Sequence, residues 1–522
     1  MTGNPLSRRR FIGAVGGVAG LAMVGFAGFG RMSESAGQTL VSRVRLPEPF
    51  TVPLHVPDEL RAVPDPGSED RYELGQRLGD VEIIPGTRTE VWGYDGTFPG
   101  PTIRARRDRP VTVTVSNELP TPTSTHLHGG VTPPDSDGYP TDLVLPPGYQ
   151  HEPTGHSHMV APEHWLLHRH RKDYVYPMRQ QSATLWYHDH RMDFSAPQVW
   201  RGLAGFFLVS DDEEEALPLP KGDRDIPLMI CDRAFHEDGA FMYPALDPSL
   251  QDTPGVEHDY MEGVQGDVTL VNGTPWPSLD VSGARYRFRL LNASNARRYR
   301  LALDPPPSGG DSFTQVGSDN GLLRAPVGHA AIPMSPAERF DVVVDFSQYP
   351  VGTQVRLVNT LESGRMQNVM QFHVVRRARE DSEVPARLAD VPVLDPARAE
   401  RVRRFDFRNT VGDDGHHWTI NGRAFTTSHV EANPALGSIE RWRFTSDFHH
   451  PVHLHLAHFQ VLSRNGRDPL PTDVGWKDTV DVRPYETVDV LARFDGFRGR
   501  YMLHCHNLEH EDMAMMANFD VV

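Results

Sequence analysis

The chain has 522 residues, a net charge of -17, and 38% hydrophobic against 23% charged residues. That length is enough for three or four domains and for cores that need no covalent staple. The acidic balance excludes nucleic acid as a partner, because nucleic-acid binding needs a basic face.

The N-terminal stretch SRRRFIGAVGGVAGLAMVGFAGFG is basic, then apolar and rich in Gly and Ala. An export signal and a membrane anchor compete for it. Arg8 and Arg9, followed by Arg10 and Phe11, resemble a twin-arginine export signal over residues 1–36. The glycines weaken a spanning helix, and no clean Ala-x-Ala cleavage site follows. No other segment is apolar enough to span a bilayer. The expectation is an exported protein, extracellular or in the cell envelope, touching a membrane only through an uncleaved signal.

With 45 glycines and 45 prolines among many short Val/Thr/Arg/Phe runs, the rest reads as a turn-rich, all-β protein. The first block spans residues 45–212. In it PVTVTVSN alternates cleanly, and GLAGFFLVS closes the block as a strand. DDEEEALPLPKGDRD then reads as a linker. The second block, residues 225–378, opens on IPLMICDRAF, where Cys231 fits a small buried hydrophobe. In RYRFRLLNASN, Tyr286, Phe288 and Leu290 share one face, and Arg285, Arg287 and Arg289 the other. The NGT and NAS triplets match a glycosylation pattern, but their strand context makes that match chance. Residues 376–401, charged and broken by proline, read as a second linker. The third block runs over residues 395–522. Short strands at regular spacing predict sandwiches or barrels.

Four His-x-His pairs stand out among 26 histidines: His126 and His128, His188 and His190, His453 and His455, His504 and His506. Residues i and i+2 of a strand point to one face, so each pair offers two imidazoles to one side. One such pair is ordinarily a polar strand face. Four pairs, split between the first and last blocks, favour a multi-metal site between them.

Cys505 lies between His504 and His506 and faces the other way. A thiolate there can bind a second, separate metal with His450 and His510. A distant thioether completes the His₂Cys set with a weak axial Met that characterises blue copper. Spacing favours Met515 over its neighbours Met513 and Met516. Zinc remains possible by ligand type, although eight clustered histidines are not its usual four-coordinate arrangement. The HCH backbone then links two metal sites over about 10 Å.

The patterns HLHGG, WYHDH, HPVHLH and HCHNLEHEDMAM resemble a multicopper oxidase, complete and in family order. The resemblance extends through GTFPGPTI, RYRFRLLNASN, ERFDVVVDFS and GWKDTVDVRPYETV. HLHGG followed by VTPPDSDG is most similar to the branch holding bacterial spore-coat laccase, bilirubin oxidase and phenoxazinone synthase. The resemblance implies three cupredoxin-like Greek-key β-barrel or sandwich domains and four coppers. It assigns type 1 copper to His450, Cys505, His510 and, axially, Met515. It assigns type 2 copper to His126 and His453. The type 3 pair takes His128, His188, His190, His455, His504 and His506. It further implies that electrons enter at His510 from a small reducing substrate, one at a time, and that four reduce O₂ to water. Asp137 and Glu511 sit where this branch carries acids for proton delivery. The alternative for each is a solvated turn carboxylate.

An axial Met goes with a lower potential, and so with easily oxidised phenols, o-aminophenols or bilirubin-like pigments. A metallo-oxidase acting on Cu(I), Fe(II) or Mn(II) competes, but the sixteen methionines are scattered and only MAMM is dense. A copper carrier without turnover predicts a broken cluster, and no ligand is missing. A copper nitrite reductase needs fewer histidine pairs. HEPTGHSHMVAPEHWLLHRH, from His151 to His170, carries six further histidines. A long solvated loop is the expectation there, and an additional copper or zinc site the alternative. The sequence does not fix the oligomeric state.

Overall fold

The computed structural model describes residues 37–63, 67, 69–150, 160, 162–251, 253, 255–412 and 415–522. The signal segment over residues 1–36, and His151, His156 and His158, lie outside the described residues. The six larger β-sheets of the described chain form three pairs, with two two-stranded sheets beside them. Each pair has non-sequential strand neighbours and mixes parallel with antiparallel pairing, as a Greek key does. Among the described residues no helix is long and apolar enough to cross a membrane.

In the first sandwich, one sheet orders its strands Gly100–Arg106, Ala204–Ser210, Ala183–Asp189 and Thr125–His128. The facing sheet contains Val111–Asn117, where Val111, Val113 and Val115 are buried and Thr114 and Ser116 half-buried. That is the period-2 pattern of the sequence converted into a packed face. In the third sandwich, one sheet orders Val430–Ala432, Met516–Val521, Gly499–Cys505, His450–Leu454 and Thr479–Val482.

Register sets the sites. His188 lies opposite His126, and His453 opposite His504, so each cross-strand pair presents its imidazoles to one side. One residue along, Val452 lies opposite Cys505, and both point the other way into the core of the third sandwich. Met515 belongs to that same core cluster, whereas Met516 packs in a different one with Met502.

The second sandwich pairs a seven-stranded with a five-stranded sheet. Cys231 is buried there, and burial pushes its thiol up to about 11, so it acts as a small hydrophobe. Asn272 and Asn292 of the two glycosylation-like triplets are buried as well. The stretch between Asp211 and Asp225 holds a short helix, Asp212–Ala216, capped by the Asp211 side chain. Residues 378–401 are packed rather than free. Leu388, Ala389, Val391 and Leu394 are buried against Leu323 and Val343 of the second sandwich and Ile439, Trp476 and Leu491 of the third. Their apolar atoms close the seam that a charged, proline-broken string suggested would be open.

Candidate metal centres

At the first centre, His450 Nδ1 lies 3.3 Å from Cys505 Sγ and 3.1 Å from His510 Nδ1. The Cys505 to His510 distance is 3.5 Å. All three side chains are buried. Strands His450–Leu454 and Gly499–Cys505 carry two of them, and the one-turn helix Leu508–Asp512 returns His510 to the same spot. Met515 is buried beside them, and its carbonyl accepts the Cys505 N–H at 3.2 Å.

Burial lowers the His510 and His450 imidazoles and raises the Cys505 thiol well above its usual range. Neutral imidazoles are the form that ligates a metal, and a bound cation would reverse the thiol's preference. The His510 ring stacks on Trp418, with centroids 3.8 Å apart, and Asn507 covers its outer nitrogen at 3.1 Å. His510 therefore has no exposed edge. Trp418 and Asn507 stand between the ring and its surroundings.

At the second centre, the eight histidines of the four pairs are buried and converge. The structure resolves them into triads. His128, His188 and His506 form one, and His190, His455 and His504 another. His126 and His453 join His128 in a third. The six expected type 3 ligands thus divide into two sets of three, each drawn from three different pairs.

The outward nitrogens are held by protein acceptors. His126 Nδ1 bonds the Asp137 carbonyl at 2.5 Å, and His188 Nδ1 the Asp189 carbonyl at 2.8 Å. His453 Nδ1 bonds the Asp478 carbonyl at 3.0 Å, and His504 Nδ1 the Cys505 carbonyl at 3.1 Å. His455 Nδ1 bonds the Asp137 carboxylate at 2.7 Å. The inward nitrogens of His126, His128, His188 and His453, and both of His506, have no hydrogen-bond partner. Each such buried orphan costs about 1–3 kcal/mol unless something satisfies it. Convergent unpaired imidazole nitrogens, backed by held outward ones, are the donor set of a metal cluster. Burial lowers the rings of His126, His128, His453, His455 and His506, and takes His188 to about 3 and His190 to about 4, so these seven stand neutral and metal-ready near pH 7.

Asp137 and Glu511 are both about 1% exposed, which removes the solvated-turn alternative. Burial pushes the Asp137 carboxyl up to about 8. Burial also raises Glu511, but His190 and then His504 outweigh it and hold the carboxyl down to about 2. Glu511 lies 3.2 Å from His504 Nδ1 and 3.5 Å from His190 Nδ1.

Asp478, which sequence reasoning did not single out, bonds His128 Nε2 at 3.0 Å. Burial opposes its ionisation, but Arg339 and then His128 hold it well below the usual carboxylate range. Its only sequence signal was membership of GWKDTV. Of the histidine-rich stretch, the three described members bind separately: His164 to Thr427, His168 to Asp142, and His170 to the Asn117 carbonyl.

Comparison with known proteins gives a consistent result. Two family models described as multicopper oxidase match, one over residues 397–522 and the other over residues 77–165 and 161–214. A laccase of Bacillus stratosphericus is 36% identical, over 91% of this chain and 99% of its own. A bilirubin oxidase of Albifimbria verrucaria is 35% identical, over 90% of this chain and 81% of its own. A laccase crystal structure from Pediococcus acidilactici superimposes with a TM-score of 0.78 at 31% identity, covering 92% of this chain and 96% of that one. The multicopper oxidase family implies cupredoxin-like domains and four coppers: one type 1, one type 2 and a type 3 pair. With both ends of the chain matched and the fold between them shared, this chain belongs to the multicopper oxidase family.

Proposed function

We propose that this protein oxidises small phenols and o-aminophenols, drawing electrons through the Cys505 centre and delivering them to O₂ at the histidine cluster. One observation carries the reading. Cys505 belongs to one centre, while its chain neighbours His504 and His506 belong to the other. The coppers, when bound, supply one-electron acceptance at the first centre and four-electron reduction of O₂ at the second. The chain supplies the path between them. From Cys505 it runs along a few covalent bonds to His506, and to His504 also through the hydrogen bond from His504 Nδ1 to the Cys505 carbonyl.

The cover over the first centre supports an aromatic donor. Trp418 stacks on His510, and the half-buried Phe448 lies 5.5 Å from Trp418 and 5.8 Å from His510. Trp418 is itself buried, so within this cover it is the half-buried Phe448 that a flat ring can pack on. Asp137 and Glu511 are read as the groups that hand on the protons consumed at the cluster, because Asp137 bonds His455 Nδ1 and Glu511 lies 3.2 Å from His504 Nδ1. Export through the segment bearing Arg8 and Arg9 is part of the same proposal. Its check is the location of activity in cells expressing the chain with both arginines changed to lysine.

Oxygen uptake by the copper-loaded protein, with 2-aminophenol, 2,6-dimethoxyphenol, bilirubin and Cu(I) in parallel, tests the substrate class. Fast uptake with either phenolic donor is expected. Uptake confined to bilirubin, or to Cu(I), would transfer the protein to bilirubin oxidation or metal-ion oxidation and end the proposal.

A further inference from the structure

The second sandwich supplies none of the eight clustered histidines, yet one of its side chains reaches the carboxylate that bonds His128. Arg339, on strand Arg339–Asp345, is fully buried. Its Nη1 and Nη2 both donate to the Asp478 carboxylate, at 2.7 and 2.5 Å. Its remaining N–H groups donate to the Thr184 carbonyl at 3.0 Å, the Ala337 carbonyl at 3.0 Å and the Asp319 carbonyl at 2.9 Å. The guanidinium fork is thus saturated and has one available orientation.

Asp478 passes that rigidity on. Its Oδ1 bonds His128 Nε2, and its backbone carbonyl bonds His453 Nδ1. His126, His188, His453, His455 and His504 all give Nδ1 to the protein. His128 is reversed: its Nε2 is held by Asp478, and its unpartnered Nδ1 faces the cluster. A second, independent feature agrees. Gly129, next to His128, has φ +86°, and a Cβ there would lie 2.7 Å from Arg339 Nη2 and 2.9 Å from Asn320 Oδ1. The glycine of HLHGG therefore admits this arginine to the back of the ligand strand.

We propose that Arg339 is a positioning residue for the trinuclear cluster: it fixes Asp478, and Asp478 sets the reversed orientation of His128. The second sandwich then acts on oxygen chemistry without touching a copper. This rests on the cluster being occupied by copper, not on the identity of the organic donor.

The test uses Arg339→Lys, which keeps the charge and loses the fork, with Asp478→Asn and the double variant. Each full-length protein is loaded with copper and titrated with a chelator. The blue absorption of the Cys505 centre and the electron paramagnetic resonance signal of type 2 copper are followed separately. Each single variant is expected to hold cluster copper about tenfold to a hundredfold more weakly, with the blue absorption unchanged. The double variant is expected to be no worse than the weaker single. Unchanged retention, additive losses, loss of both centres in step, or a chain that does not fold would each overturn the proposal. The last two would make Arg339 a structural residue only.

Discussion

Cys505 sits in an apolar core that disfavours its thiolate, and a metal cation bound beside it would favour the ionised form instead. Cys505→Ser is therefore expected to abolish the blue absorption and oxidation of organic donors while cluster copper remains countable. Loss of both copper classes together would contradict the separation of the two centres. Asp137→Asn and Glu511→Gln each leave a hydrogen-bonding side chain against a ligand ring. Turnover is expected to fall about 10–100-fold in each, with the blue absorption intact, in steady-state assays and spectra of the same preparations. That each histidine pair shares one face was legible in the sequence, because a strand forces i and i+2 to one side. Asp478 was not, because a lone Asp between Lys477 and Thr479 carries no period. Its meaning comes from Arg339, 139 positions away in the chain. Nor did any local pattern show that Trp418 closes over His510.

Strand Arg285–Asn292 shows what alternation can and cannot tell. Its apolar face was readable, and Phe288 and Leu290 are buried as expected. The opposite face carries the arginines, and Arg287 and Arg289 are buried as well. Asp341 and Glu214 meet Arg287, while Asp225 and Glu214 meet Arg289. These acids come from three separate segments, which no window over the strand reveals. Burial works against the Asp225 carboxylate, but Arg289 and then Arg287 lower it from 3.8 to about 2. A depressed folded-state pKa stabilises the fold above the unfolded value. The stabilisation, about 2 kcal/mol for this group, is lost as pH falls from about 4 through about 2. Chemical denaturation at stepped pH is expected to show that decline, and Asp225→Asn to flatten it. Removing one cation instead, as in Arg289→Met, leaves buried acids unpaired and is expected to cost about 3–5 kcal/mol at neutral pH.

Across the whole molecule, the cluster lies where the first sandwich meets the third. Strands Thr125–His128 and Ala183–Asp189, with the residue after the latter, provide four of its histidines. Strands His450–Leu454 and Gly499–Cys505, each with the residue after it, provide the other four. Copper bound there ties together segments more than 300 positions apart, as His190 and His504 are. Bound metal stabilises the folded chain by mass action, about 2.7 kcal/mol for one site at a hundredfold excess over its dissociation constant. The copper-free protein is thus expected to melt at a lower temperature, and readdition of copper to restore the midpoint. The all-β, turn-rich character was readable from the glycines, prolines and short alternating runs. The seam packed by Leu388 and Val391 was not, because it depends on which surfaces the other sandwiches present.

The coupling of the two centres is tested most directly by an anaerobic titration of the four-copper protein with 2-aminophenol, followed by a measured pulse of O₂. The blue absorption is predicted to bleach as donor is added. It should return on oxygenation, with one O₂ consumed for every four electrons delivered. Bleaching that O₂ does not reverse, or a blue absorption that the aminophenol never bleaches, would contradict an oxidase in which electrons pass from the Cys505 centre to the histidine cluster.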